Sequence, residues 1–162
     1  MLIRHLSQSI TSSHHDLASE GDVNVNKARE LIKENKLCVL STSLKDVPNS
    51  SLMKYATDSE VTEIYMMASI DSVKCRNIQD NPSVSMLIDT RLTESTPRAL
   101  TVYGKAEIVA DEELKRGYLE KLLYVSPDLS VFGETSDSCI ILVRITGFLL
   151  MDGITEGGFM EV

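Results

Sequence analysis

Six strand-like runs, short turns between most of them and one pair joined through a helix predict a mainly β fold, a six-stranded antiparallel barrel with three peripheral helices. Closing the sheet on itself removes the exposed edges that an open sheet of this size has to cover in some other way. The 162 residues, 43% hydrophobic and 25% charged, suit one globular domain with a real core.

Residues 1–23 are rich in Ser, His and Asp and carry little periodicity, so they are expected to form an arm, flexible or packed on a partner, with the domain proper over 24–162. A helix is expected from Asn24, where Ala28, Leu31 and Ile32 recur at helical spacing and Lys33 and Lys36 lie near its end. Leu37 to Ser43 is the first strand. Lys45-Asp46-Val47-Pro48 is a turn into a second strand at Asn49 to Thr57, making a hairpin. A polar turn, Asp58 to Glu63, leads to a third strand at Ile64 to Ser69. Ser83 to Asp89 alternates, with Val84, Met86 and Ile88 on one face and Ser83 and Ser85 on the other. The clearest alternation sets Leu100, Val102, Gly104, Ala106 and Ile108 against Thr101, Tyr103, Lys105 and Glu107. Asp111-Glu112-Glu113 places acidic residues on the positive end of a helix whose apolar stripe is Leu114, Tyr118, Leu119, Leu122 and Leu123, and Pro127 ends that region. The last strand, Cys139 to Ile145 and Phe148 to Met151, is interrupted at Thr146-Gly147, which suits a bulge.

The stretch Ile64 to Asp89 carries the most chemistry. A strand hands over to a short helix capped by Asp71 or Ser72, and that helix ends before Asn81-Pro82. The first N–H groups of such a helix are unpaired and, with the helix dipole, suit a phosphate. Ser72 adds a hydroxyl, Lys74 a mobile ammonium and Arg76 a further basic group. A capped surface helix carrying Lys and Arg accounts for the same residues without a ligand.

Net charge is −8 and the isoelectric point near 4.9, a field that repels nucleic acid and anionic membrane surfaces. An anionic ligand must then be held by local groups. No apolar run approaches the roughly 20 residues of a membrane span and the beginning of the sequence lacks the order of a signal peptide, so a cytoplasmic protein is expected. Cys38, Cys75 and Cys139 are widely spaced with no CxxC pair. Cys38 and Cys139 read as small core residues, and Cys75, beside Lys74, is either structural or reactive. His5, His14 and His15 in the leader form no metal constellation with other ligands at suitable spacing, and no metal is expected.

With these elements in order, the chain resembles the FMN-binding split-barrel proteins related to pyridoxamine 5′-phosphate oxidase, over roughly Asn26 to Met151. The carriers are LCVLSTS, PNSSLMKYATD, MMASIDSVKCRNIQDNPSVSMLIDTR and RALTVYGKAEIV followed by an acidic helix start. The third is the most specific, because strand end, Ser-x-Lys, Asn, Asn-Pro and alternating strand occur in family order. The resemblance implies a split barrel that forms a homodimer and binds FMN in two equivalent clefts between subunits. By position it places Ser50, Ser51, Leu52 and Met53 along the flavin and Met67, Ala68 and Ser69 at the floor near the phosphate and ribityl chain. It gives Ser72 and Lys74 to the phosphate, and puts Arg98 and Ala99 where the neighbouring subunit approaches the ring. Val73 stands where the authentic oxidase has an Arg before the phosphate-binding Lys, and Ala99 where it has a Gln. The basic C-terminal strand that grips pyridoxine phosphate is missing, since the chain closes with GFLLMDGITEGGFMEV. Vitamin B6 oxidation is therefore not expected.

The resemblance implies a flavin oxidoreductase that passes electrons or hydride between a reduced nucleotide and a small molecule, with the flavin carrying the chemistry. No side chain stands out as a general acid; Lys54, Tyr55 and Arg98 are candidates near the cleft that also read as ordinary strand residues. Two alternatives share the barrel: a non-catalytic flavin-binding or stress-related protein, and a haem-binding or haem-degrading protein. Haem-handling relatives tend to carry a His near the Lys74 position, and this chain has none there. Fold alone does not choose among them.

Overall fold

The computed structural model describes residues 20–89, 98–133, 137–152 and 157–162. In chain order these form α1 (Glu20–Glu34), β1 (Leu37–Leu44), β2 (Val47–Thr57), β3 (Glu63–Ser69), α2 (Val73–Asp80), β4 (Ser83–Asp89), β5 (Arg98–Ile108), α3 (Glu112–Val125), a 3-10 turn (Pro127–Leu129), α4 (Ser130–Gly133), β6 (Ser138–Asp152) and β7 (Gly157–Glu161). The strands run β3-β2-β1-β4-β5-β6-β7, all antiparallel, and β3 also pairs with β6. That last pairing closes β1 to β6 into the expected six-stranded barrel, with β7 added outside the ring on the second half of β6.

The alternation in β4 and β5 sorts side chains as the sequence implies. Val84, Met86, Ile88, Leu100, Val102 and Ala106 point into the barrel, where they meet Leu40, Ile141, Val143 and Phe148. The faces of Ala28 and Ile32 on α1 and of Cys75 and Ile78 on α2 join the same core. Tyr55 fastens α1 by donating its buried hydroxyl to the carbonyl of Ile32 at 2.8 Å. A second, smaller core lies outside the barrel wall, where α3 lays Leu122 against Tyr65, Ile140 and Leu142, and Tyr118 stacks on Tyr65 at 4.4 Å between centroids.

Boundaries differ from expectation in a few places, each for a local reason. Helix α1 begins at Glu20, four residues before Asn24, so the end of the expected arm is helical; the rest of it, with His5, His14 and His15, lies outside the described residues. Val47 and Pro48 belong to β2: the turn is only Lys45-Asp46, both with positive φ (49° and 62°), and Leu44 pairs directly with Val47. Pro48 is tolerated because β2 pairs with β3 only at Tyr55, Ala56 and Thr57, so its first half is an edge. Leu114 is exposed, since α3 turns only Tyr118, Leu119, Leu122 and Val125 inward. Asp111 caps that helix, accepting from the N–H groups of Glu113 at 3.0 Å and Leu114 at 2.9 Å. The interruption of β6 is a true bulge: Tyr103 pairs with Gly147 and Gly104 with Ile145, leaving Thr146 as the extra residue. Strand β7 was not anticipated, because GGFME has only two apolar residues to signal it.

The turn between β2 and β3 is held by Asp58. Its carboxylate accepts from the N–H groups of Thr62 and Glu63, both at 2.8 Å, and from the Thr62 hydroxyl at 2.9 Å. These bonds keep Val61 buried at a positive φ of 56°, an uncommon conformation for a β-branched residue. Burial alone raises the Asp58 carboxyl, but the bonds from Glu63 and Thr62 outweigh it and hold the pKa below its ordinary value of 3.8. A folded-state pKa below the unfolded one stabilises the protein above about pH 4, and this contribution is lost as pH falls through the folded value. Asp58→Ala is expected to lower stability by about 2 kcal/mol in urea denaturation at pH 7. The difference between the two proteins should narrow as pH falls below about 4; a gap that does not change with pH contradicts this role.

Candidate functional site

Strands β2 and β3 pair only from Tyr55↔Met66 to Thr57↔Ile64, and beyond that point they separate. Strand β3 stays on β6, through Met67↔Ile140, Ala68↔Cys139 and Ser69↔Ser138, while β2 stays on β1. A wedge opens between them. The 3-10 turn after α3 borders it, and the result is a groove of about 600 Å³ lined by Leu37, Leu52, Met53, Lys54, Met67, Ala68, Ser69, Asp128, Leu129, Asp137 and Ser138. Its volume lies within the range of small-molecule and cofactor sites, and its walls are largely apolar with a few polar groups. Strand edges facing the wedge have no neighbouring strand among the described residues, so their backbone groups can meet the polar rim of a flat ligand.

At the floor, Ser69 donates its hydroxyl to the Asp137 carboxylate at 3.2 Å, and its carbonyl accepts the N–H of Ser72 at 3.1 Å. This tight turn starts α2 immediately beyond the groove. Ser72 is the N-cap residue, with φ −69° and ψ 154°; its hydroxyl makes no capping bond, and the buried Oγ, with no well-formed hydrogen bond among the described residues, lies close enough to the Cys75 sulfur to lower that thiol's pKa. Half-buried Lys74 forms no ion pair with a described residue. Arg76 turns back on its own loop and donates to the carbonyl of Asp71, away from that role.

Two asparagines that sequence reading used only as family markers set the position of α2. Asn77, 4% exposed, donates to the Thr42 hydroxyl at 3.0 Å, and Asn81 donates to the carbonyl of Ser43 at 3.2 Å. Both dock the second half of the helix on β1.

The residues expected at the site do not all meet. Leu52, Met53, Met67, Ala68 and Ser69 line the groove, and Ser72 and Lys74 follow within five residues of Ser69. Ser50 and Ser51 lie farther along β2, outside the lining. Arg98 and Ala99 start β5, where Arg98 borders a separate shallow cavity with Lys27, Glu30, Leu31, Glu34 and Leu150. Of the three polar candidates, Tyr55 is consumed in the core, while Lys54 lines the groove in an ion pair with Asp128. Asp128 and Leu129 were missed because nothing local in PDL marks a turn that folds back over β2.

Among the described residues, no element packs over one face of the barrel. Directly paired residues share a face, so the register sets Leu52, Val39, Leu87, Thr101, Leu149 and Phe159 in one row across six strands. Leu52 is 72% exposed, Leu87 40% and Phe159 62%. Neighbouring rows on the same face hold Ser50, Ser41, Ser85 and Tyr103 on one side, and Asp89, Ala99 and Met151 on the other.

The closed barrel, the wedge between β2 and β3 and the helix that follows it define a split-barrel protein. The sequence profile of the pyridoxamine 5′-phosphate oxidase family matches residues 25–133, and the chain belongs to that family. No curated protein matches it significantly. Among solved structures it is similar to General Stress Protein 26 from Bacillus anthracis str. Sterne, with 21% identity, a TM-score of 0.65 and coverage of 86% of this chain and 99% of that one. It is also similar to a FAD-binding protein from Mesorhizobium loti (14% identity, TM-score 0.69, coverage 80% and 94%). A third is the heme storage protein HutZ from Vibrio cholerae (18%, 0.64, 84% and 92%). At these identities the likeness is one of fold. No helix among the described residues is long and apolar enough to cross a membrane.

Proposed function

We propose that this chain is an FMN-binding oxidoreductase that acts on a small molecule and works as a homodimer. The observation that carries the reading is the apolar wedge whose floor at Ser69 runs directly into the start of α2, where Ser72 is the N-cap residue and Lys74 follows in the first turn. Those two groups and the first N–H groups of α2 would hold the phosphate. Ala68 and Ser69 would support the chain between phosphate and ring, and Leu52, Met53 and Met67 would wall the ring and exclude water. FMN, when bound, supplies hydride and single-electron transfer between a reduced nucleotide and a small acceptor. The Lys54–Asp128 pair stands at the mouth of the groove and would help position whatever meets the exposed side of the ring.

The dimer is supported by the uncovered face. Leu52 and Ala99 both lie on it, yet Ala99 is separated from Leu52 within one chain by β1 and β4. A second chain packed on this face by a twofold axis would bring Ala99 and Arg98 toward the partner's groove and complete the site.

Titrating the purified protein with FMN, and in parallel with haem, tests the reading. Stoichiometric uptake giving a yellow holoprotein is expected, with Lys74→Ala weakening affinity about tenfold to a hundredfold through loss of a charge-assisted bond worth about 1.5–3 kcal/mol. A Soret band with no flavin uptake would favour the haem-binding alternative. Flavin binding with unchanged affinity in the Lys74 variant would remove the phosphate assignment.

A further inference from the structure

Behind the floor of the groove two cysteines meet. Cys75, one turn into α2, and Cys139, at the start of β6, have their sulfurs 3.4 Å apart. They are 0% and 5% exposed, far apart in sequence, and in no disulfide. Cys139 pairs across the sheet with Ala68 and follows Ser138, both of which line the groove, while Cys75 lies three residues after Ser72. A disulfide needs about 2.05 Å between sulfurs, so the approach still required is little more than ~1 Å, within reach of side-chain rotation and a small shift of α2. The third cysteine, Cys38, is elsewhere in the core on β1 and makes no sulfur contact.

We propose that Cys75 and Cys139 are a redox modification site, which a peroxide converts to a reversible disulfide tying α2 to β6. The Cys75 thiolate attacks the peroxide: an S–O bond forms, the O–O bond breaks, and the departing hydroxide takes up a proton as water. The Cys139 thiol then attacks the Cys75 sulfur, an S–S bond forms, the S–O bond breaks, and a second water leaves with the Cys139 proton. The two thiols lose two electrons in all, and the peroxide is reduced to two waters. Thiol reductants reverse the bond by exchange.

The electrostatics assign the order of these steps. The contact with the Cys139 sulfur, the Ser72 hydroxyl and the Lys74 ammonium together hold the Cys75 thiol below its ordinary range, against the opposing effect of burial. Cys139 is pushed up by the same contact and by burial, and stays protonated. Cys38 has no such neighbour, and burial pushes it up to about 12, which keeps it a thiol. A peroxide is scarcely larger than water, and its entry requires local opening at the first turn of α2, which has no side-chain cap and precedes the Asn77 and Asn81 contacts that dock the rest of the helix.

The test uses the full chain, reduced, treated with hydrogen peroxide, quenched, unfolded in alkylating reagent and digested for mass spectrometry. The expected product is an intramolecular Cys75–Cys139 linked peptide, lighter by two hydrogens and reversed by dithiothreitol, with Cys38 alkylated throughout. In Cys139→Ser, a sulfenic acid at Cys75 should be trapped by dimedone. If both thiols remain fully alkylatable after peroxide has oxidised exposed methionine, or if Cys38 is the partner found, the proposal is overturned. Because the linkage is read directly in the wild-type chain, it stands or falls separately from flavin binding and from the folding of any variant.

Discussion

Gly104→Ala is expected to cost about 3 kcal/mol or more of folding stability, one of the largest effects available from a single methyl group in this protein. A Cβ at residue 104 would meet Val143 Cγ1 at 2.5 Å and the carbonyl oxygen of Arg144 at 2.7 Å, both part of the facing strand. Gly104 sits at the bulge, where Thr146 is looped out and β5 and β6 come close. A backbone oxygen has no rotamer by which to move away, so the added methyl must push apart the pair of strands that extends along the whole of β5. The loss should be read as a lower urea midpoint. Gly117→Ala is the internal control, since nothing lies within 4 Å of its added Cβ on α3, and helix propensity should raise stability by about 0.8 kcal/mol. A midpoint unchanged by Gly104→Ala would show that β5 and β6 can part at the bulge without cost.

The second large effect concerns the uncovered face. If a twofold dimer buries the row from Leu52 to Phe159, then Leu87→Glu should raise the dimer dissociation constant about a hundredfold or more. Leu87 is near the centre of the row, between Val39 and Thr101, and twofold symmetry introduces the carboxylate twice. Burying an unpaired charge costs several kcal/mol per site unless the contact opens, and about 2.7 kcal/mol already gives a hundredfold change. Leu87 is half out of the core in the single chain, so the fold itself should tolerate the change. Light scattering across a dilution series with circular dichroism on the same samples separates the two effects. A wild-type chain that is monomeric at high concentration, or a variant that dimerises as the wild type does, would falsify the shared-site arrangement.

The barrel was legible in the sequence because its strands alternate. Val84, Met86 and Ile88 against Ser83 and Ser85 announce a strand with one buried face, and the long alternation around Gly104 fixes the parity of β5. Asp111 and its acidic neighbours announce α3 by capping chemistry alone. What could not be read is what depends on distant pairing. The closure of β3 on β6 and the early separation of β2 from β3 follow from register between segments about 75 residues and 10 residues apart, and no local pattern reports it. The same reason hid Asp128 and Leu129 at the groove and the meeting of Cys75 with Cys139. Strand β7 was hidden for a different reason: a strand added outside a finished barrel needs few apolar residues. The helix start at Ser72 was legible, but that its hydroxyl turns away from capping and is buried beside Cys75 is visible only once Ser69, Asp137 and α2 have taken their places.

The wedge between β2 and β3 is a vacancy written into backbone pairing rather than into side chains. It exists because the ladder stops at Tyr55↔Met66, so substitutions at Leu52, Met53, Met67 or Ala68 change what the opening prefers without removing it. An opening set by pairing can persist while the residues that line it change. That separation of architecture from chemistry suits the shared fold of a stress protein, a FAD-binding protein and a heme storage protein, each no more than 21% identical to this chain.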